Sequence, residues 1–164
     1  MKTILRSAVL AALSAASLSA VAGPTSVPFS ANLSTNEQIG PNPALCQSAP
    51  YLAGSTTGSG HANHLGRVTG TAQDCVTPPT AGYTYTFKDG KLTLIAANGD
   101  ELRADYSGTL NPTAVQPIYA ITGSYRITGG TGRFSSASGS GQLGGTENLQ
   151  TGQGQFLLTG TISY

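Results

Sequence analysis

The chain is 164 residues long and carries 8 basic and 7 acidic side chains, for a net charge of +1, with 22 glycines and no tryptophan. So few charges and no basic surplus argue against a nucleic-acid partner and against adhesion to an anionic membrane. A length of this order suits one domain with one core.

The chain opens MKTILRSAVLAALSAASLSAVAG. Lys2 and Arg6 form a short positive region, Ala8 to Leu18 an apolar core, and Ala20-Val21-Ala22 the small-x-small pattern of a cleavage site. This predicts a signal peptide over residues 1–22, cleaved after Ala22, and a periplasmic or secreted protein. A membrane anchor fits less well, because spanning takes about 20 apolar residues and Gly23-Pro24 follows at once. No later apolar run is long enough for a transmembrane helix. Residues 23–164 then form a single domain, and without Lys2 and Arg6 they hold 6 basic and 7 acidic groups, net −1.

From Val27 onward the apolar residues alternate, as strands with one buried face require. Val27, Phe29, Ala31 and Leu33 alternate first, and Thr35 to Pro50 reads as a loop carrying Cys46. Ser55 to Val76 reads as two strands broken near Gly66, followed by a loop at VTPPTAG. Cys46 and Cys75 are the only cysteines. In an exported chain such a pair predicts a disulfide, while the spacing is wrong for CxxC and a metal pair or reactive thiol is the alternative.

Tyr83, Tyr85 and Phe87 alternate with Thr84, Thr86 and Lys88. Asp89-Gly90 and Asn98-Gly99 are both two-residue hairpin signals, since a type I′ turn needs positive φ at both central positions. With Leu92, Leu94 and Ala96 between them and Leu102, Ala104 and Tyr106 after, they predict a three-strand meander. NPTAVQP makes the next loop. Ile121, Gly123, Tyr125 and Ile127 then share one strand face, with Thr122, Ser124, Arg126 and Thr128 on the other. Ala137, Gly139, Gly141 and Leu143 suggest a further strand, and Phe156, Leu158, Gly160, Ile162 and Tyr164 the last.

About eight strands on short turns predict an all-β fold, an eight-stranded antiparallel barrel, with a β-sandwich as the alternative. Glycine stands at about twice its usual share. Within strands it permits sharp coiling and close backbone approach at barrel corners, and closure removes edge strands.

ITGGTGRFSSASGSGQLGG (Ile127 to Gly145) is the densest glycine run. A phosphate-binding loop would need GxxxxGK with Ser or Thr between a strand and a helix, and neither the lysine nor the helix is there. Gly139 to Gly144 matches GxGxxG by letters, but lies inside an expected strand. The run therefore reads as architecture. ITGGTGRF followed by SSASGSG resembles a hairpin of allene oxide cyclase-like and dirigent-like barrels, which carry GGTGxF before a small-residue strand. GSGHANHLGRVTG resembles a GxGxATHLGR element of exported bacterial proteins expected to share that barrel. Gly58, Gly60, Ala62, His64, Leu65, Gly66 and Arg67 match it, and Asn63 replaces the threonine. LTLIAANGDELRADYSGTL looks like their central hairpin. The resemblance covers roughly half of residues 23–164 and implies an eight-stranded barrel, often a homotrimer, whose lumen takes a small hydrophobic molecule. Enzymes of that shape steer a reactive intermediate without metal or organic cofactor. None of their catalytic residues aligns with a position here.

Few residues present themselves as a site. His61 and His64 fall on opposite faces if the segment is a strand, and no acidic or cysteine neighbour in sequence makes them a metal site. His64 is the candidate for acid–base work, since imidazole titrates near neutral pH. Tyr83, Tyr85, Tyr106 and Tyr125 share faces with leucine and isoleucine and are expected to point inward as candidate ligand contacts. A buried phenol needs a hydrogen-bond partner, either a ligand or the water and backbone of a filled core. Asp100, Glu101, Arg103, Asp105 and Arg126 lie on the opposite faces, where exposed cross-strand pairs account for them. A paired-carboxylate site would need acids that face inward, and the sequence places the best candidates outward. A GxSxG nucleophile elbow is absent. The expected function is binding of a small, largely apolar molecule in the lumen. The alternatives are a cofactor-free cyclase or isomerase, and a structural envelope protein without ligand.

Overall fold

Alternation of small polar and apolar side chains builds the molecule. In β1 (Val27–Pro41) Phe29, Ala31 and Leu33 are buried while Pro28, Ser30 and Asn32 face solvent. The computed structural model describes residues 25–79 and 83–164; the expected signal peptide over 1–22 lies outside them. The strands that follow are β2 (Leu52–Ala62), β3 (Gly66–Thr77), β4 (Tyr85–Ala96), β5 (Glu101–Pro112), β6 (Ile118–Gly130), β7 (Ser138–Asn148) and β8 (Gln153–Ser163). Each pairs antiparallel with the next, and β8 returns to β1 to close a barrel. Closure sets aside the sandwich and leaves no free sheet edge.

The strands are steeply staggered. Directly paired residues lead from Glu37 through Thr56, Ala72, Leu92, Ala104, Ile127, Gly139 and Ile162 to Val27, ten residues earlier on β1. Such a stagger tilts the strands and widens the interior. Bulky side chains fill it: Leu33, Val68, Leu94, Leu158 and Ile162 are fully buried. At the end where β1 begins, a short 3-10 turn over Gly132–Phe134 inserts the Phe134 ring completely into the core, a burial that stabilises by about 2–3 kcal/mol. The GGTGRF glycines thus turn the chain so that Phe134 plugs the barrel, and GxGxxG is part of β7.

The outer wall reads Ser34, Asn36, Ser55, Thr57, Thr69 and Thr71, all exposed. A transmembrane barrel has the reverse arrangement, apolar outside. Among the described residues no helix is long and apolar enough to cross a membrane.

Three sequence expectations are corrected. The loop expected from Thr35 begins later, because β1 continues to Pro41 and pairs with β2 throughout; the apolar pattern stops where the inward positions become Thr35 and Glu37. Asp89-Gly90 is no hairpin. It lies inside β4, where the register with β5 jumps from Phe87↔Gly108 to Gly90↔Tyr106, so two strands stand where three were expected. Asp89 does take a positive φ, 57°, but spends it on a bulge, which uses the same residue types as a turn. Tyr83 precedes β4 and is 73% exposed instead of inward. Asn98-Gly99 is the turn expected between β4 and β5, with the Gly99 N–H donating to the Ala96 carbonyl.

Cys46, in the β1–β2 connection, is bonded to Cys75 on β3, with Cα atoms 5.5 Å apart. The bridge lashes that connection over the outer side of Ala53, and the three residues are buried together.

Candidate functional site

Three of the seven acidic residues lie inside the barrel, toward the end where β1 finishes. Glu37 comes from β1, Asp74 from β3 and Glu147 from β7. Asp74 is 4% and Glu147 3% exposed, while Glu37 is half-buried and reaches solvent. β2 makes room for them with Gly54, paired to Asp74 on one side and Ile39 on the other. A Cβ at Gly54 would stand 2.8 Å from Asp74 Oδ1 and would collide with Glu37 Oε1.

Tyr106 reaches the group from β5, its hydroxyl donating to Asp74 Oδ2 at 2.7 Å. The ring lies flat on Gly90, where a Cβ would come within 2.6 Å of its Cδ1 and Cε1. The bulge at Asp89 therefore has a purpose: it delivers a residue without side chain under the Tyr106 ring. Asp74 Oδ1 has no hydrogen-bond partner.

The electrostatics follow from this placement. Burial, opposed by the Tyr106 hydrogen bond and reinforced by the Glu37 charge, pushes the Asp74 carboxyl from 3.8 up to about 7. Glu37 rises from 4.5 to about 8, first through burial and then through the charge of Glu147, to which it donates a hydrogen bond. Burial also raises Glu147, with the Glu37 hydrogen bond pulling the other way. The Tyr106 phenol is pushed up by burial and by the Asp74 charge beside it. Near neutral pH the cluster therefore holds protons and can give or take them, the property expected of acid–base groups.

A void of about 10 Å³ lies among these groups, walled by Val76, Phe87, Leu110, Ile121 and Phe156. That is space for about one water. A second void of about 10 Å³ lies deeper, against Leu33, Thr56, Leu92 and Phe156. Above the carboxyls Tyr85 and Tyr119 stand edge to face, 5.8 Å apart, and Leu149 packs beside the core. Larger hollows of about 530 and 430 Å³ are open depressions on the outer wall. The first is lined by neutral polar residues such as Asn36, Ser55 and Thr71, and the second by the exposed Lys91–Asp105 and Arg126–Asp105 pairs. Such pairs contribute at most about 1 kcal/mol each.

The residues singled out by sequence are dispersed. Tyr106 belongs to the cluster, Tyr85 stands at the mouth above it, and Tyr83 lies outside the barrel. Tyr125 is buried elsewhere, edge to face with Phe29, its hydroxyl unpartnered against Gly141 and Gly160; burial raises its pKa to about 12. His61 is exposed on β2. His64 occupies the β2–β3 turn at the opposite end from the carboxyls, its Nε2 2.8 Å from the Pro28 carbonyl and its Nδ1 3.2 Å from the Tyr164 hydroxyl. Arg133 donates to the His64 carbonyl, so this histidine ties chain segments together. Among the described residues no group of three or more His, Cys, Asp and Glu is disposed to hold a metal ion.

The outward placement expected of Glu101 and Asp105 holds, and Asp100 lies in the β4–β5 turn; sequence reasoning assigned no face to Glu37, Asp74 and Glu147, which the structure turns inward. The signal was present as parity. Ala72, Asp74 and Val76 are in phase, as are Leu143, Gly145 and Glu147, so each acid continues an inward face. Compared with family models, with curated proteins and with solved structures, the chain matches none.

Proposed function

We propose that this is an exported barrel protein that binds a small, largely apolar molecule at the carboxyl-lined end of its lumen. The observation that carries this reading is the asymmetry of the two ends. Of the seven exposed large hydrophobics among the described residues, Ile39, Leu45, Tyr51, Tyr83 and Val115 sit on the strand ends and connections around the mouth above Glu37, Asp74 and Glu147, against Tyr164 alone at the other end and Leu157 on the wall. Apolar side chains gathered in solvent mark a place where something apolar docks. The guest enters by displacing Tyr85, Tyr119 and Leu149, since the resting void is of water size. The signal-peptide pattern supports export, and an intramolecular disulfide is compatible with an oxidising compartment.

A second reading is a cofactor-free cyclase or isomerase, favoured by the proton-holding carboxyls inside the lumen and supported by the resemblance of ITGGTGRF to allene oxide cyclase-like and dirigent-like barrels. The test of the first reading is a melting screen with small apolar compounds, alongside native mass spectrometry of the protein from its own host. A guest at about a hundred times its Kd adds about 2.7 kcal/mol, a melting shift of several degrees. A flat screen and an empty barrel favour the structural alternative. Turnover that disappears in Asp74→Asn while binding persists favours the enzyme.

A further inference from the structure

We infer that the carboxyl cluster is the head-group site for a cationic guest, a primary ammonium carried on an apolar body. This rests on the lumen-binding reading above and specifies its chemistry. Three features of the site support it. The first is Asp74 itself. It is 4% exposed and lines the void; Tyr106 occupies its Oδ2, and its Oδ1 makes no hydrogen bond of good geometry, with only the Gly54 backbone N–H nearby. A buried acceptor left without a donor is costly, and an ammonium brings three donors and no acceptor.

Size is the second. The void, about 10 Å³, holds a group about as large as a water, which an ammonium is. The walls beyond it, Val76, Phe87, Leu110 and Ile121, are apolar and lead toward Tyr85 and Tyr119 at the mouth. One polar atom set therefore lies at the bottom of an apolar path.

Charge is the third. The titratable groups facing the void are Glu37 from β1, Asp74 from β3, Tyr106 from β5 and Glu147 from β7; β4, β6 and β8 contribute Phe87, Ile121 and Phe156, and β2 contributes Gly54. Every described lysine and arginine is on the outside or at the ends of the barrel, and none pairs with these acids. Buried carboxyls without a basic partner keep their protons, and a bound cation lets a carboxyl ionise, its proton passing to the buffer.

The experiment uses the disulfide-bonded protein and three probes of one length, hexylamine, hexanol and hexanoate, in calorimetric titrations near pH 6 and pH 8.5. Hexylammonium is expected to bind about tenfold or more tighter than hexanol, a difference of the size one charged contact supplies. Its binding is expected to strengthen from pH 6 to 8.5 and, at pH 6, to release protons into the buffer, because the carboxyls must ionise to receive it. Asp74→Asn and Glu147→Gln should each erase the preference for the amine and spare hexanol; should either fail to fold, the proton release of the unaltered protein decides. Equal or tighter binding of hexanol or hexanoate overturns the cationic head group and leaves lumen binding standing. Absence of binding by all three overturns both.

Discussion

The Tyr106 hydroxyl crosses from β5, past β4, to donate to Asp74 Oδ2 on β3 at 2.7 Å. It is the one side-chain donor to Asp74 among the described residues, and it favours the ionised form against the effect of burial. Tyr106→Phe is therefore expected to destabilise the fold by about 1–3 kcal/mol. The loss should be larger near pH 8, where Asp74 is ionised, than near pH 5, where it is neutral. Urea unfolding of the two proteins at both pH values measures this; an equal loss at both would show that the hydroxyl acts through packing alone.

The raised carboxyls make stability depend on pH with a definite sign. Asp74 moves from 3.8 to about 7 and Glu37 from 4.5 to about 8, so the folded state holds protons that the unfolded chain releases. Their contribution is complete below about pH 4 and is lost as pH rises through 7 and 8. Stability should fall across that window, by about 4 kcal/mol for Asp74 alone. Asp74→Asn should flatten the profile, as read from urea midpoints in a pH series. A profile that climbs with pH would contradict the buried, unpaired placement of these acids.

Gly54 admits the two carboxyls that flank it. In Gly54→Ala the new Cβ meets Asp74, which is short and enclosed, and Glu37, whose carboxyl is the far end of a flexible chain close to solvent. Glu37 is expected to swing outward at a cost of about 1–3 kcal/mol. Its pKa then falls back toward the ordinary value of 4.5, observable by carboxyl NMR. An unchanged Glu37 titration in the variant would mean that Gly54 does not set its position.

The Cys46–Cys75 bridge closes 29 residues, and its loss is expected to remove about 3–4 kcal/mol on the chain-entropy model. It also fastens the β1–β2 connection beside Asp74, the neighbour of Cys75. Reduction should lower the melting temperature and increase hydrogen exchange at residues 42–51 before the barrel opens. Simultaneous exchange of both regions would show that the bridge does not hold this connection separately.

The barrel was legible from the sequence because parity along one strand reports which side faces inward, and β3, β4, β5, β6 and β8 keep it in apolar letters. β1 was cut short at Thr35 because its inward residues become polar there. Asp89-Gly90 misled because a bulge and a hairpin ask for the same residues at positive φ, and only the partner strand distinguishes them. Each acid of the cluster lay in phase with an inward face, Asp74 between Ala72 and Val76 most plainly. Their convergence was not legible. Glu37, Asp74 and Glu147 come together through a stagger of ten residues around the barrel, and that stagger is a property of eight pairings at once.

The decisive measurement is a carboxyl-carbon NMR titration of the folded protein, with Asp74, Glu37 and Glu147 assigned by their amide variants. Midpoints near 7 for Asp74 and near 8 for Glu37 are expected, with Glu147 also raised by burial. Titration of all of them near pH 4 would contradict a carboxyl cluster enclosed in the lumen.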